Sequence, residues 1–450
     1  MTTPAHYHND LRAEQGLVRE LSSSQQAMMA IGGAFGTGLF VASGLTVGVA
    51  GPAVIVSYVI AAGISMLLGR ALSEMAVAHP TAGAFGVYAG MYVSPFAGFA
   101  VRVSYWLMQV IATGGQLVAA ANCMALWVPG VHGAVWVVAF SIALIYVNSR
   151  AVGRLGTFEY WFAMIKVVAV VLFVVLATAL IVGVTGAPAI GLGNLTSHHG
   201  FAPHGVSGVW LGACVAIYSF IGVEIVGVTS GEASDPARTI PRAMRRMVLG
   251  LSAIYLVTIA LLTALTPWDE MGGGASPFVT VLGKLGLPAA AGVMNFVVLS
   301  AALSSANANL YLISRTMFSL ARAGFAPAEM GTVTRRGAPV TALLVSAIGP
   351  AIAALLMAVW ADAAYPRLFG IALFGALFVW LMIFVTHIAF RGRARPALAS
   401  SAGATLIAGI LVSTWWVPDL RYTLLTGGPW LAMLVALYHL SRWLARRQPR

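Results

Sequence analysis

Two ionisable side chains stand inside long apolar runs of this chain, Lys166 and Glu224. A charge at the centre of a bilayer costs at least about 2.5–3.5 kcal/mol on insertion scales, so each needs a physical reason. The chain holds 25 Lys and Arg residues, yet only Lys166 and Lys284 are lysines. Arginine stays protonated, whereas a buried lysine can lose its proton near neutral pH. Lys166 therefore reads as a group that loads and releases a proton; the competing reading is a lysine that snorkels to a membrane surface about ten residues away. Glu224 reads either as a titrating group or as an acceptor for the backbone amides of a locally unwound helix, and the second is favoured. Glu74 and Glu159 fall near helix ends, as gate carboxylates or as fixed partners of loop arginines.

Glycines mark where a helix can unwind. The first apolar run reads Gly32-Gly33-Ala34-Phe35-Gly36-Thr37-Gly38-Leu39-Phe40, and the sixth reads Tyr218-Ser219-Phe220-Ile221-Gly222-Val223-Glu224. An intramembrane helix can break at such a point if the freed backbone lines a cavity. Breaks at corresponding places in two halves point to a transporter's midplane site. Amides at the start of a half-helix can bind a carboxylate, and carbonyls at the end of another can accept from an ammonium. The bland alternative is helix packing, since Gly32 and Gly36 already form a small-xxx-small pair.

The elements that position these residues are membrane-spanning helices. Of the 450 residues 60% are hydrophobic and 8% charged, with a mean hydropathy of +0.89. A soluble domain carries about 25% charged residues, so this chain lacks the charge to coat a water-facing surface. Apolar runs long enough to cross the hydrocarbon as helix recur throughout, where barrel strands would be short and alternating. They predict an all-α integral membrane protein of about 12 transmembrane helices, at 26–48, 51–72, 97–127, 132–149, 158–184, 207–230, 247–267, 288–318, 339–360, 366–390, 403–417 and 428–445. Alternate loops carry Arg150 and Arg154, then Arg238, Arg242, Arg245 and Arg246, then Arg322, Arg335 and Arg336, then Arg391, Arg393 and Arg395, and finally Arg442, Arg446, Arg447 and Arg450. The positive-inside rule then places both termini in the cytoplasm, and the expected location is a cytoplasmic (inner) membrane. The net charge of +12 thus reflects topology; the expected partners are the lipid bilayer and a small molecule, with no nucleic acid. The polar segment 1–25 has no cleavable signal and reads as a cytoplasmic segment before a retained first span. His198, His199 and His204 sit in a Gly-rich outer loop at 185–206, a polar loop rather than a metal site. Cys123 and Cys214 read as small buried hydrophobes. No nucleophile motif or metal spacing suggests an enzyme, and no cofactor is expected.

The motifs resemble those of the amino acid–polyamine–organocation superfamily, and within it the bacterial and fungal amino acid transporter family. The resemblance rests on Gly36-Thr37-Gly38-Leu39-Phe40, on Ala71-Leu72-Ser73-Glu74-Met75-Ala76-Val77 with Pro80, and on Phe158-Glu159 through Ile165-Lys166-Val167. It continues from Phe220 through Gly222 and Glu224 to Gly231-Glu232, Asp235-Pro236 and Ile240-Pro241, and into Ser304-Ser305-Ala306-Asn307 with Ser314-Arg315. Together these cover about residues 15–395. The resemblance implies a transport core over 26–395, with two inverted five-helix repeats at about 26–184 and 207–390, discontinuous helices 1 and 6, and two peripheral helices with a basic tail over 396–450. It implies alternating access, with the substrate carboxylate near Thr37 and Gly38 and its amine at backbone carbonyls around Ser219 and Phe220; Gly36, Gly222 and Gln116 complete the expected substrate site. Tyr218 then lines the pocket. In a proton-coupled relative of this fold a fifth-span lysine occupies the place of a cation; Lys166 matches it, with Ser304 and Ser305 as neighbouring hydroxyls.

The third span departs from the family pattern. Many members carry an acid in its middle, where this chain has Gln116 after Tyr105-Trp106-Leu107 and Gly114-Gly115. An amide neither titrates nor neutralises a cationic side chain. The expected activity is therefore proton-coupled import of a neutral amino acid. An amino acid exchanger and a non-transporting sensor on the same scaffold are the rival readings, and the second would be expected to carry a signalling extension beyond the short termini.

Overall fold

The computed structural model describes residues 36–81, 83–150, 155–184, 188–228, 235–271, 276–334, 338–392 and 396–447. Every regular element among them is helical. A π-turn at Gly38–Ala42 leads into α1 (Ser43–Ala50), followed by α2 (Val54–Ala78), α3 (Ala84–Tyr92), α4 (Pro95–Met124), α5 (Gly133–Arg150) and α6 (Leu155–Val182). Then come α7 (Gly205–Ala216), α8 (Ile225–Val228), α9 (Pro236–Leu265), α10 (Pro277–Lys284), α11 (Pro288–Arg322), α12 (Val340–Ser346) and α13 (Ile348–Val359). The chain closes with α14 (Ala361–Arg391), α15 (Leu398–Ser413) and α16 (Arg421–Arg447).

Among the described residues, ten stretches are long and apolar enough to cross a membrane. One of them, Gly38–Ala78, has 41 residues; as a single helix it would measure about 60 Å, twice the hydrocarbon thickness. The chain leaves helical geometry within it at Gly51-Pro52, so it contributes two crossings. With the shorter apolar helix Gly133–Ser149, the described residues hold the expected 12-helix membrane fold.

Local chemistry sets the helix starts. Proline stands at the first helical position of α4, α9, α10 and α11, where its missing N–H costs nothing. Ser94 caps α4 through the amide of Ala97, and Asp235 caps α9 through that of Arg238. This cap explains a difference from the predicted spans: α9 begins at Pro236 rather than near 247, so Arg238, Arg242, Arg245 and Arg246 ride on its first turns. Likewise α15 starts at Leu398 and continues as a tight turn through Thr414–Trp416, which lengthens the short predicted eleventh span. Inside the spans, hydroxyls bond back to the preceding turn: Thr46 to the carbonyl of Ala42, Ser65 to Ala61, Thr113 to Gln109 and Ser346 to Ala342. No hydroxyl among these is left bare in the hydrocarbon.

The spans pack in two groups. α1 and α2 lie against α7, and α2 lies along α9; α4 lies against α11, α13 and α14, with α5 on α13. α6 touches both groups through α9 and α11, while α15 and α16 flank α14. Two short helices were not expected from the sequence. α3 lies between the second and third spans and α10 between the seventh and eighth, five spans apart. Phe278 of α10 packs on Phe40 and Phe173. Nearby, His198 bonds Asp269 at 3.0 Å, and Lys284 pairs with Glu270 at 2.8 Å. That imidazole holds the exposed Asp269 carboxyl below the usual carboxylate range.

Candidate functional site

The sixth span comes apart where its glycine predicts. α7 ends at Ala216, Ile217–Phe220 tighten into a 3₁₀ turn, and Ile221 turns extended at ψ 133°. Gly222 has φ +110°, which side-chain-bearing residues rarely adopt, and helix resumes only at Ile225. Glu224 repairs this gap. Both of its oxygens accept the Gly222 amide, at 3.1 and 3.0 Å. One of them also accepts the indole N–H of Trp380 on α14 at 3.2 Å. The carbonyl of Ser219 accepts the hydroxyl of Tyr255 on α9 at 2.9 Å, and the Ser219 hydroxyl meets that of Tyr58 on α2 at 3.3 Å. Three neighbouring helices therefore brace the unwound turn.

The first span meets it face to face. A Cβ on Gly38 would lie 2.9 Å from the Cα of Ser219, so the two backbones touch where only glycine fits. Thr37 beside it is 3% exposed, and the π-turn that follows widens the helix. Gly32 and Gly33 lie outside the described residues, so the structure describes this span from Gly36 onward.

Lys166 does not snorkel. It is fully buried, and its ammonium donates to the hydroxyl of Ser304 on α11 at 3.0 Å. The adjacent Ser305 hydroxyl is buried and makes no hydrogen bond among the described residues.

A family profile described as amino acid permease matches residues 25–436. The chain belongs to the amino acid permease family. It is 34% identical over 431 residues to the aromatic amino acid transport protein AroP of Escherichia coli K12, covering 93% of this chain and 94% of that one. It is also 34% identical to the gamma-aminobutyric acid permease of Bacillus subtilis, over 96% of this chain and 95% of the relative. A further Bacillus subtilis relative, the uncharacterized amino acid permease YtnA, is 32% identical over 95% and 96% of the two chains. The protein is thus a membrane transporter and not an enzyme.

Other predicted residues of the permease have partners of their own. The Gln116 side-chain oxygen accepts from Asn309 at 3.2 Å, joining α4 to α11; Asn148 donates to Asn307 at 2.8 Å a little further along the same helix. Glu74, at the end of α2, accepts from the Arg391 guanidinium at 2.9 and 3.0 Å and meets the His387 ring at 3.0 Å. The other ring nitrogen of His387 meets Ser400 on α15 at 2.8 Å. The ion pair is compatible with both readings of Glu74, a gate carboxylate and a fixed partner of an arginine. The Glu159 side chain lies outside the described residues. Sequence reasoning missed Tyr58, Tyr255 and Trp380, because an aromatic ring in an apolar run looks the same whether it faces lipid or braces a break.

Proposed function

We propose that this permease is a secondary active carrier that imports a neutral amino acid together with protons by alternating access. The observation that carries this reading is the fully buried Lys166 on Ser304, on a helix that touches both packing groups. An ammonium there fills and repels a site that would otherwise take a metal cation, which favours protons as the coupling ion.

In this reading the substrate carboxylate sits at Gly36, Thr37 and Gly38. Its ammonium sits at the carbonyls of Ser219 and Phe220, and Tyr218 lines the pocket. Tyr255 occupies one lone pair of the Ser219 carbonyl, and a carbonyl has two. Gly222 permits the break and Glu224 holds it in shape, while Ser304 and Ser305 supply hydroxyls for the proton step. Gln116 in place of an acid fits an uncharged side chain. The short helices α3 and α10, at matching places, support two repeats over about 26–184 and 207–390, with 396–450 peripheral. Residence in the inner membrane with both termini cytoplasmic follows from the arginine-rich loops.

Reconstituted into liposomes, the wild type is expected to accumulate a labelled neutral amino acid when an inward proton gradient is imposed, and Lys166→Ala is expected to lose that accumulation. Unchanged uphill uptake by the variant, or strict dependence on sodium, sinks the coupling assignment. Counterflow without net proton entry would instead favour an exchanger.

A further inference from the structure

α14 carries two aromatic residues near the start of the break, Tyr365 and Phe369, one helical turn apart on one face. The Phe369 ring lies 4.1 Å from that of Tyr218, and the Tyr365 ring lies 6.0 Å from that of Phe369. Phe369 is buried, while Tyr218 and Tyr365 keep some accessible surface. The three rings thus form a wall beginning at the unwound turn. The Tyr365 hydroxyl is buried and makes no hydrogen bond among the described residues. The Thr37 side chain and the hydroxyls of Tyr218 and Tyr58 are the polar groups that act on it. A buried hydroxyl of this kind is a donor held ready for a partner, because leaving it unmade is unfavourable.

We propose that Tyr365 is a positioning residue of the amino acid site, donating its hydroxyl to the substrate carboxylate on the side opposite the Thr37–Gly38 backbone. This rests on the carrier reading above. A phenol bound to a carboxylate makes a charge-assisted bond, stronger than a neutral one, and the wall formed with Phe369 and Tyr218 fixes the ring that aims it. α14 then touches the site twice: through Tyr365 at the carboxylate, and through Trp380 at Glu224.

The test couples Tyr365→Phe, which removes only the oxygen, with removal of the carboxylate charge from the ligand. Labelled L-phenylalanine, L-leucine and L-proline are offered to proteoliposomes, and the methyl ester of each is used as a competitor. The KM for a transported acid is expected to rise about tenfold in the variant with maximal rate little changed, as for one lost hydrogen bond to a charged group. Inhibition by the corresponding ester is expected to stay within about twofold, since the ester offers no anion to lose. Equal weakening of acid and ester, or no change in either, overturns the assignment of Tyr365 while leaving the carrier reading intact. Uptake of none of the three acids by the wild type removes the neutral-substrate reading and this proposal with it.

Discussion

At the scale of single residues, the contact between Gly38 and Ser219 sets the tightest constraint. A methyl group on Gly38 must push against backbone, which cannot rotate away. Gly38→Ala is expected to cost about 1–3 kcal/mol by overpacking and to abolish uptake, read as a lowered melting temperature of the purified protein beside a null transport assay. Normal uptake at unchanged stability would mean that the two spans do not meet there in the working cycle. Gly222 and Glu224 were legible in the sequence because each is out of place in an apolar helix, one by conformational freedom and one by charge. Lys166 was legible for the same reason, but its two readings separated only once its burial was seen. Tyr365 and Trp380 carried no such signal. Their value lies in which way the ring faces, and that is a property of packing.

Helices impose their own logic. α2 and α14 are joined at one end by Glu74, Arg391 and His387, with Ser400 of α15 tied in through the imidazole. The two-pronged arginine contact is the strong geometry for a carboxylate. Arg391→Met is expected to lower stability by about 1–3 kcal/mol, the scale for losing hydrogen bonds to a charged group. Tethering α2 to α14 by an engineered disulfide at this end should restore the melting temperature; failure to do so would place the effect elsewhere. The existence and order of the spans were readable from apolar runs, while their ends were not. Caps such as Asp235-Pro236 start a helix outside the hydrocarbon, where hydropathy is silent, and the short α3 and α10 fall below the length by which a span is recognised.

Across the whole molecule, orientation is the property most open to a direct check. Both cysteines are buried, so the wild type offers little background to a membrane-impermeant maleimide. Thr196→Cys, on an exposed loop between α6 and α7, is expected to label in intact cells; Thr239→Cys, exposed near the start of α9 among the arginines, is expected to label only after the membrane is opened. The reverse pattern would invert the topology and with it the direction of import. The two packing groups were not legible in the sequence, since which helix faces which depends on contacts scattered across the chain.

One helix, α14, holds the unwound turn through Trp380 and grips α2 through its last turns. It therefore behaves as a beam pinned at two heights, and disturbance at one pin is delivered to the other. Damage at the Glu74–Arg391 pin should surface as altered affinity, and a substitution at the Trp380 pin should surface as leak.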